Sequence, residues 1–139
     1  MLTFDKHIET LINRPSINNS LMLAGRALMA YLFIIAGWNK IVGYSGTVAY
    51  MESQGIPGSL AILVILLELG GGLAILIGYQ TRIIAVFLAL FCIMTGIIFH
   101  GAPEDATSLM KNLAMAGGFI YILVQGSGKF SIDHLLTHK

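Results

Sequence analysis

Charge is what this sequence has least of. Of 139 residues only 11% are Asp, Glu, Lys or Arg, against roughly 25% in an ordinary soluble domain. Hydrophobic residues make up 56% and the mean hydropathy is +0.81. A water-soluble globular domain is therefore excluded. The formal net charge is +1 and the basic residues are scattered, so no nucleic-acid surface is expected. Cysteine is almost missing: Cys92 stands alone in an apolar run, which excludes an internal disulfide and a CxxC redox pair. A buried lone thiol is ordinarily a small apolar packer. Histidine is scarce where it would matter. His7, His134 and His138 fall in the tails, leaving His100 without the companions a metal site or a facing haem pair needs. There is no serine elbow and no phosphate loop, and GGGLAIL is a packing glycine run inside a hydrophobic segment.

What fills the chain instead is four apolar runs, at about 20–38, 59–78, 83–99 and 109–124. At a rise of ~1.5 Å per residue, runs of this length suit a hydrocarbon layer of ~30 Å. They do not alternate apolar with polar residues, which argues against a membrane β-barrel. The expected fold is all-α, an antiparallel four-helix bundle integral to the membrane, with residues 1–139 forming one domain. The first run starts near residue 20 and lacks a nearby small-residue cleavage site, so it is expected to persist as a span rather than be removed as a signal peptide.

Short interfacial helices are expected at both termini. Phe4, Ile8, Leu11 and Ile12 form one apolar stripe opposite Asp5, Lys6, Glu9 and Asn13, ended by Pro15. Phe130 to Leu136 offers a second such stretch. Asn18, Asn19 and Ser20 are placed to cap the first span. In the 41–58 link, TVAYMESQG has the makings of a further interfacial helix. Gly70, Gly71 and Gly72 in the second run, with Gly117 and Gly118 in the fourth, allow close helix packing.

Two charges fall inside the runs. Glu68 lies near the middle of the second and Arg26 about two turns into the first. A carboxylate at membrane depth should face protein or water and find a partner, and a buried Arg26–Glu68 ion pair is the expected one. Basic residues then set orientation: Lys6, Arg14, Arg82, Lys129 and Lys139 flank one side, Lys40 and Lys111 the other. Both termini should thus lie on the cytoplasmic side of the membrane.

With that threading, Lys40, His100, Lys111 and Asn112 reach one depth at the outer end, and facing inward they would form a positive mouth. Such a pocket suits a small anion or a quinone headgroup. The same residues have a plainer reading, in which Lys40 and Lys111 snorkel to lipid phosphates and His100 ends a helix.

These residues also carry a resemblance. Arg26, Leu32, Phe33, Ala36, Gly37 and Lys40 in the first run resemble the pattern of the DoxX family of small four-helix bacterial membrane proteins. Glu68, Gly71, Gly72, Gly78, Thr81 and Arg82 continue it. Lys111, Asn112, Gly117, Gly118, Gly126, Gly128, Ser131 and Asp133 complete it in the fourth run and the turn beyond. The resemblance implies a redox-associated membrane subunit, since the family takes its name from a subunit of a quinol oxidase or thiosulfate:quinone oxidoreductase. On that reading Lys40, His100, Lys111 and Asn112 hold a quinone or small anionic substrate, and Arg26 with Glu68 orients the pocket or relays a proton. The chain offers no electron carrier of its own, so a quinone or a redox partner protein would supply one. The alternative is a non-catalytic assembly or scaffold protein, or a small-solute permeation unit working as a homo-oligomer. The partner in every case is the lipid bilayer.

Overall fold

The computed structural model describes residues 2–138, so Lys139, counted above for orientation, lies outside them. Among the described residues there are helices and turns and no strands. An amino-terminal helix, Leu2–Ile12, precedes four long apolar helices: Pro15–Val42, Gly58–Ile77, Thr81–His100 and Pro103–Gln125, here the first to fourth spans. A loop helix, Tyr44–Ser53, joins the first two spans, and Ile132–Thr137 closes the chain.

The spans match the apolar runs, and the first extends beyond its run at both ends. Pro15 begins it, because a residue without an N–H fits a first helical turn whose amides lack intrahelical partners. Asn18, Asn19 and Ser20 are consequently not caps but interior positions. The Asn19 and Ser20 side chains donate to the carbonyls of Pro15 and Ser16 one turn back.

Neighbouring spans run antiparallel and pack through small residues. Gly37 lies so close to the second span that a Cβ there would come within 2.7 Å of the Leu69 backbone nitrogen. At the bundle centre Phe33 and Phe119 meet edge to face, ring centroids 5.2 Å apart. Ala30, Ile75, Ala85, Leu88 and Ala116 fill the space around them. Most of the larger apolar side chains, among them Leu28, Leu63, Ile97 and Tyr121, point outward, as expected where the surrounding solvent is acyl chain. The third and fourth spans pack along their length, whereas the first and fourth touch sparingly.

The second span is not a uniform helix. It opens with a 3-10 turn at Gly58–Leu60, continues as α-helix, and widens to a π turn over Leu66–Gly70 before Gly71–Ile77. Glu68 sits in the middle of that π turn. Such turns break the regular backbone ladder and are frequent where a helix carries a functional side chain.

Candidate functional site

The antiparallel register separates the two buried charges. Gly37 lies against Leu69 and Gly72 against Ile34. Arg26 is therefore about twelve residues, roughly 18 Å of helix rise, from the level of Glu68. The expected Arg26–Glu68 ion pair does not form. Glu68 instead meets Lys40, whose ammonium lies 2.8 Å from Oε2. The long flexible lysine stem lets a residue near the end of the first span reach inward to a carboxylate at mid-depth.

Arg26 is 1% exposed and serves the other end of the bundle. One guanidinium nitrogen donates to the Ile75 carbonyl at 3.3 Å and another to the Phe130 carbonyl. These bonds tie the carboxy-terminal turn to the first and second spans. Gly78 stands against this guanidinium at φ +72°, and a Cβ there would overlap Arg26 Nη1 and the Ser131 side chain. The turn is fixed further by Asp133, whose two carboxylate oxygens accept from the backbone amides of Gln80 at 2.7 Å and Thr81 at 2.9 Å. Those are free amides at the start of the third span, and the carboxylate closes them as a cap does. Burial pushes the Asp133 carboxyl up, but the bonds from Thr81 and Gln80 and the Arg26 charge outweigh it, leaving its pKa below the ordinary carboxylate range. Arg82 donates to the last carbonyls of the fourth span, Leu123 and Val124, and Asn19 accepts from the Lys129 amide. The glycine, serine and aspartate pattern after the fourth span is thus the clasp of the bundle.

At the opposite end lies a cavity of about 300 Å³. Lys40, Glu68, Cys92, Thr95, His100 and Asn112 supply its chemistry, and Tyr50, Phe91 and Phe99 its flat aromatic walls. The loop helix forms its roof: Met51 is buried, and Tyr50 stacks on Phe99 with ring centroids 5.4 Å apart. The 41–58 link is therefore a cover as well as a connector.

Of the four residues expected to bind substrate, three converge here and one does not. Lys40, His100 and Asn112 line the cavity, whereas Lys111 is exposed and outside it. Adjacent helical positions differ by ~100° in direction, so Lys111 and Asn112 cannot face the same space. The mouth is not strongly positive either. Lys40 faces Glu68, and His100 Nδ1 is bonded to Asp105 in the turn before the fourth span. Asn112 donates to the Ser108 carbonyl, and its Oδ1 accepts from the Thr95 hydroxyl at 3.4 Å. Tyr31, on the same span as Lys40, is 68% exposed on the outer face. Sequence reasoning missed Cys92, which is 1% exposed at the cavity wall, and the aromatic roof. Cys92, Thr95 and Phe99 share one face of the third span, a periodicity available to find them.

Comparison with known proteins agrees with this architecture. The chain is 52% identical over 121 residues to the inner membrane protein YqjF of Escherichia coli (strain K12), covering 85% of this chain and 93% of that one. It is 31% identical over 123 residues to the inner membrane protein YphA of the same organism, covering 81% and 88%. A 65-residue stretch is 34% identical to the Bacillus subtilis (strain 168) protein named "Putative oxidoreductase CatD", covering 47% of this chain and 48% of that one. No solved structure matches. The DoxX family profile matches residues 21–101, the first three spans with Arg26, Lys40, Glu68 and Arg82 among them, and this multi-pass membrane protein belongs to the DoxX family.

Proposed function

We propose that the chain works as one membrane domain and is a redox-associated subunit that holds a quinone headgroup in the roofed cavity. The observation that carries this reading is the cavity's chemistry: flat aromatic walls around polar groups already partnered with one another. Lys40 faces Glu68 and His100 faces Asp105, so the space suits an uncharged ring with polar oxygens better than a free anion. Thr95, Asn112 and Lys40 carry donors for quinone carbonyls, and the Glu68 carboxylate beside Lys40 is an acceptor for a quinol hydroxyl. A cavity of about 300 Å³ accommodates a single substituted ring, with an isoprenoid tail left to run between spans into the lipid. CatD, a relative with an oxidoreductase name, supports the redox class.

On this reading the protein lies in the inner membrane with both termini cytoplasmic, and the cavity opens at the opposite side. The basic residues Lys6, Arg14, Arg82 and Lys129 at the clasp end support that orientation. Electrons would pass between the bound quinone and a partner protein, with the cavity residues binding, orienting and shielding the ring.

The test is to purify the protein in mild detergent, extract its lipids and assay quinone, then follow thermal unfolding with added short-chain quinone. Co-purified quinone and a rise of several degrees in melting temperature are expected, both reduced in Asn112→Ala. Recovery of no quinone, with no change in melting temperature, would overturn the proposal.

A further inference from the structure

A second recess lies at the clasp end, far from the roofed cavity. It is a broad groove of about 860 Å³ between the carboxy-terminal turn, the start of the third span and the first span. Its ionisable lining is Arg82, Lys129, Asp133, His134 and His138. The single acid among them has both carboxylate oxygens bonded to backbone amides, at Gln80 and Thr81. Among the described residues Lys129 forms no ion pair, and the His134 and His138 rings meet edge to face, centroids 4.1 Å apart. Asn18, Gln80 and Gln125 add neutral donors. Among the described residues the groove therefore offers positive charge and hydrogen-bond donors that no acid of its own takes up.

Its floor continues into a narrower crevice. Met22, Gln125 and Gly126 line both the groove and a recess of about 140 Å³ between the first and fourth spans. The crevice walls are Met22, Gly25, Tyr121 and Ile122, almost wholly apolar, and nothing packs where a Gly25 side chain would stand. Arg26 closes its base with a buried Nε that has no hydrogen-bond partner among the described residues. A polar basic groove at the end of the spans, opening into an apolar slot along them, has the shape of an amphiphile with an anionic head.

We propose that this groove and crevice form a binding site for an anionic phospholipid. The phosphate sits against Lys129, His138 and the edge of Arg82, and one acyl chain enters the slot between the first and fourth spans. Charge complementarity selects the occupant: a zwitterionic lipid brings its own cation toward a groove already basic, whereas phosphatidylglycerol brings only negative charge. The lipid would cover the seam where those two spans touch least.

Native mass spectrometry of the full chain, with added phosphatidylglycerol or phosphatidylcholine of matched chains, tests this. Wild type is expected to retain phosphatidylglycerol several-fold more strongly. Lys129→Gln/His138→Gln should lose most of that preference and Lys129→Arg should keep it. Both sites are exposed, and unchanged circular dichroism checks that the variants fold. Equal retention of the two lipids, or full preference in the double variant, would overturn the proposal. Displacement of the lipid by millimolar inorganic phosphate alone would also overturn it, by showing a site for free phosphate. Asn112→Ala should leave lipid retention unchanged, so this test stands apart from the quinone experiment.

Discussion

The Lys40 ammonium and the Glu68 carboxylate meet 2.8 Å apart, although one residue lies near the end of the first span and the other midway along the second. Breaking a fully buried pair by removing one partner is unfavourable by roughly 3–5 kcal/mol, because the other charge is left uncompensated. The Lys40 side chain is 31% exposed, so Lys40→Met alone is expected to destabilise by about 2 kcal/mol. Lys40→Met/Glu68→Gln should recover at least half of that loss. Thermal unfolding of these two variants and of Glu68→Gln in detergent measures the coupling, and a loss in the double variant equal to the sum of the two single losses would show that the charges do not interact.

Gly78 carries two constraints at once, a left-handed backbone at φ +72° and the Arg26 guanidinium where a side chain would begin. Gly55 carries only the first, with φ +76° and open space around it. Gly55→Ala is therefore expected to lower stability by about 1 kcal/mol, the ordinary left-handed penalty. Gly78→Ala should lower it by about 3 kcal/mol or more, because it also displaces a buried charge. A smaller loss at Gly78 than at Gly55 would show that Arg26 has room to move.

These two pairs of residues also mark what a sequence can show. The four spans were legible because an uninterrupted apolar run has few uses other than crossing lipid. Their ends were less so: Pro15 to Asn19, mostly polar, begin the first helix ahead of its apolar run, which hydropathy does not register. The pairing of charges failed on register. Equal depth was assumed for Arg26 and Glu68, but in antiparallel helices depth runs from opposite ends, and a lysine stem reaches further than its backbone position suggests. Arg26 was illegible for another reason. Its partners are main-chain carbonyls at Ile75 and Phe130, and a sequence does not distinguish one carbonyl from another. The clasp at Asp133 looked like a surface turn because its partners, the amides before and at the start of the third span, belong to positions and not to side chains. For the cavity, Lys40, His100 and Asn112 followed from topology, while the adjacency of Lys111 to Asn112 already ruled one of them out.

Asp133 makes stability depend on pH in a stated direction. Its folded pKa lies below the ordinary value, so the folded state binds its proton less readily than the unfolded one. Its contribution is fully present above the ordinary carboxylate range and is lost as pH falls through the folded pKa. The melting temperature should therefore decline from about pH 4 downward. Asp133→Asn keeps one acceptor oxygen and loses the charge, so it should melt lower at neutral pH and show a flatter acid limb. An acid limb identical to wild type would assign the dependence to other carboxylates.

Cys92 gives a probe of the roofed cavity that needs no assumption about turnover. Its thiol belongs to the cavity wall yet is 1% exposed, beneath the loop helix and its Tyr50–Phe99 stack. A small membrane-permeant thiol reagent should label it slowly, at a rate set by opening of the roof. Tyr50→Ala removes the stack and should raise the labelling rate several-fold with little change in helix content. Saturating short-chain quinone should lower the wild-type rate by a similar factor, because a ring in the cavity blocks approach to the sulfur. The two effects separate access from occupancy: faster labelling in Tyr50→Ala without protection by quinone would establish the roof and reject the ligand. Protection that persists in Asn112→Ala would place the ring elsewhere along the same wall.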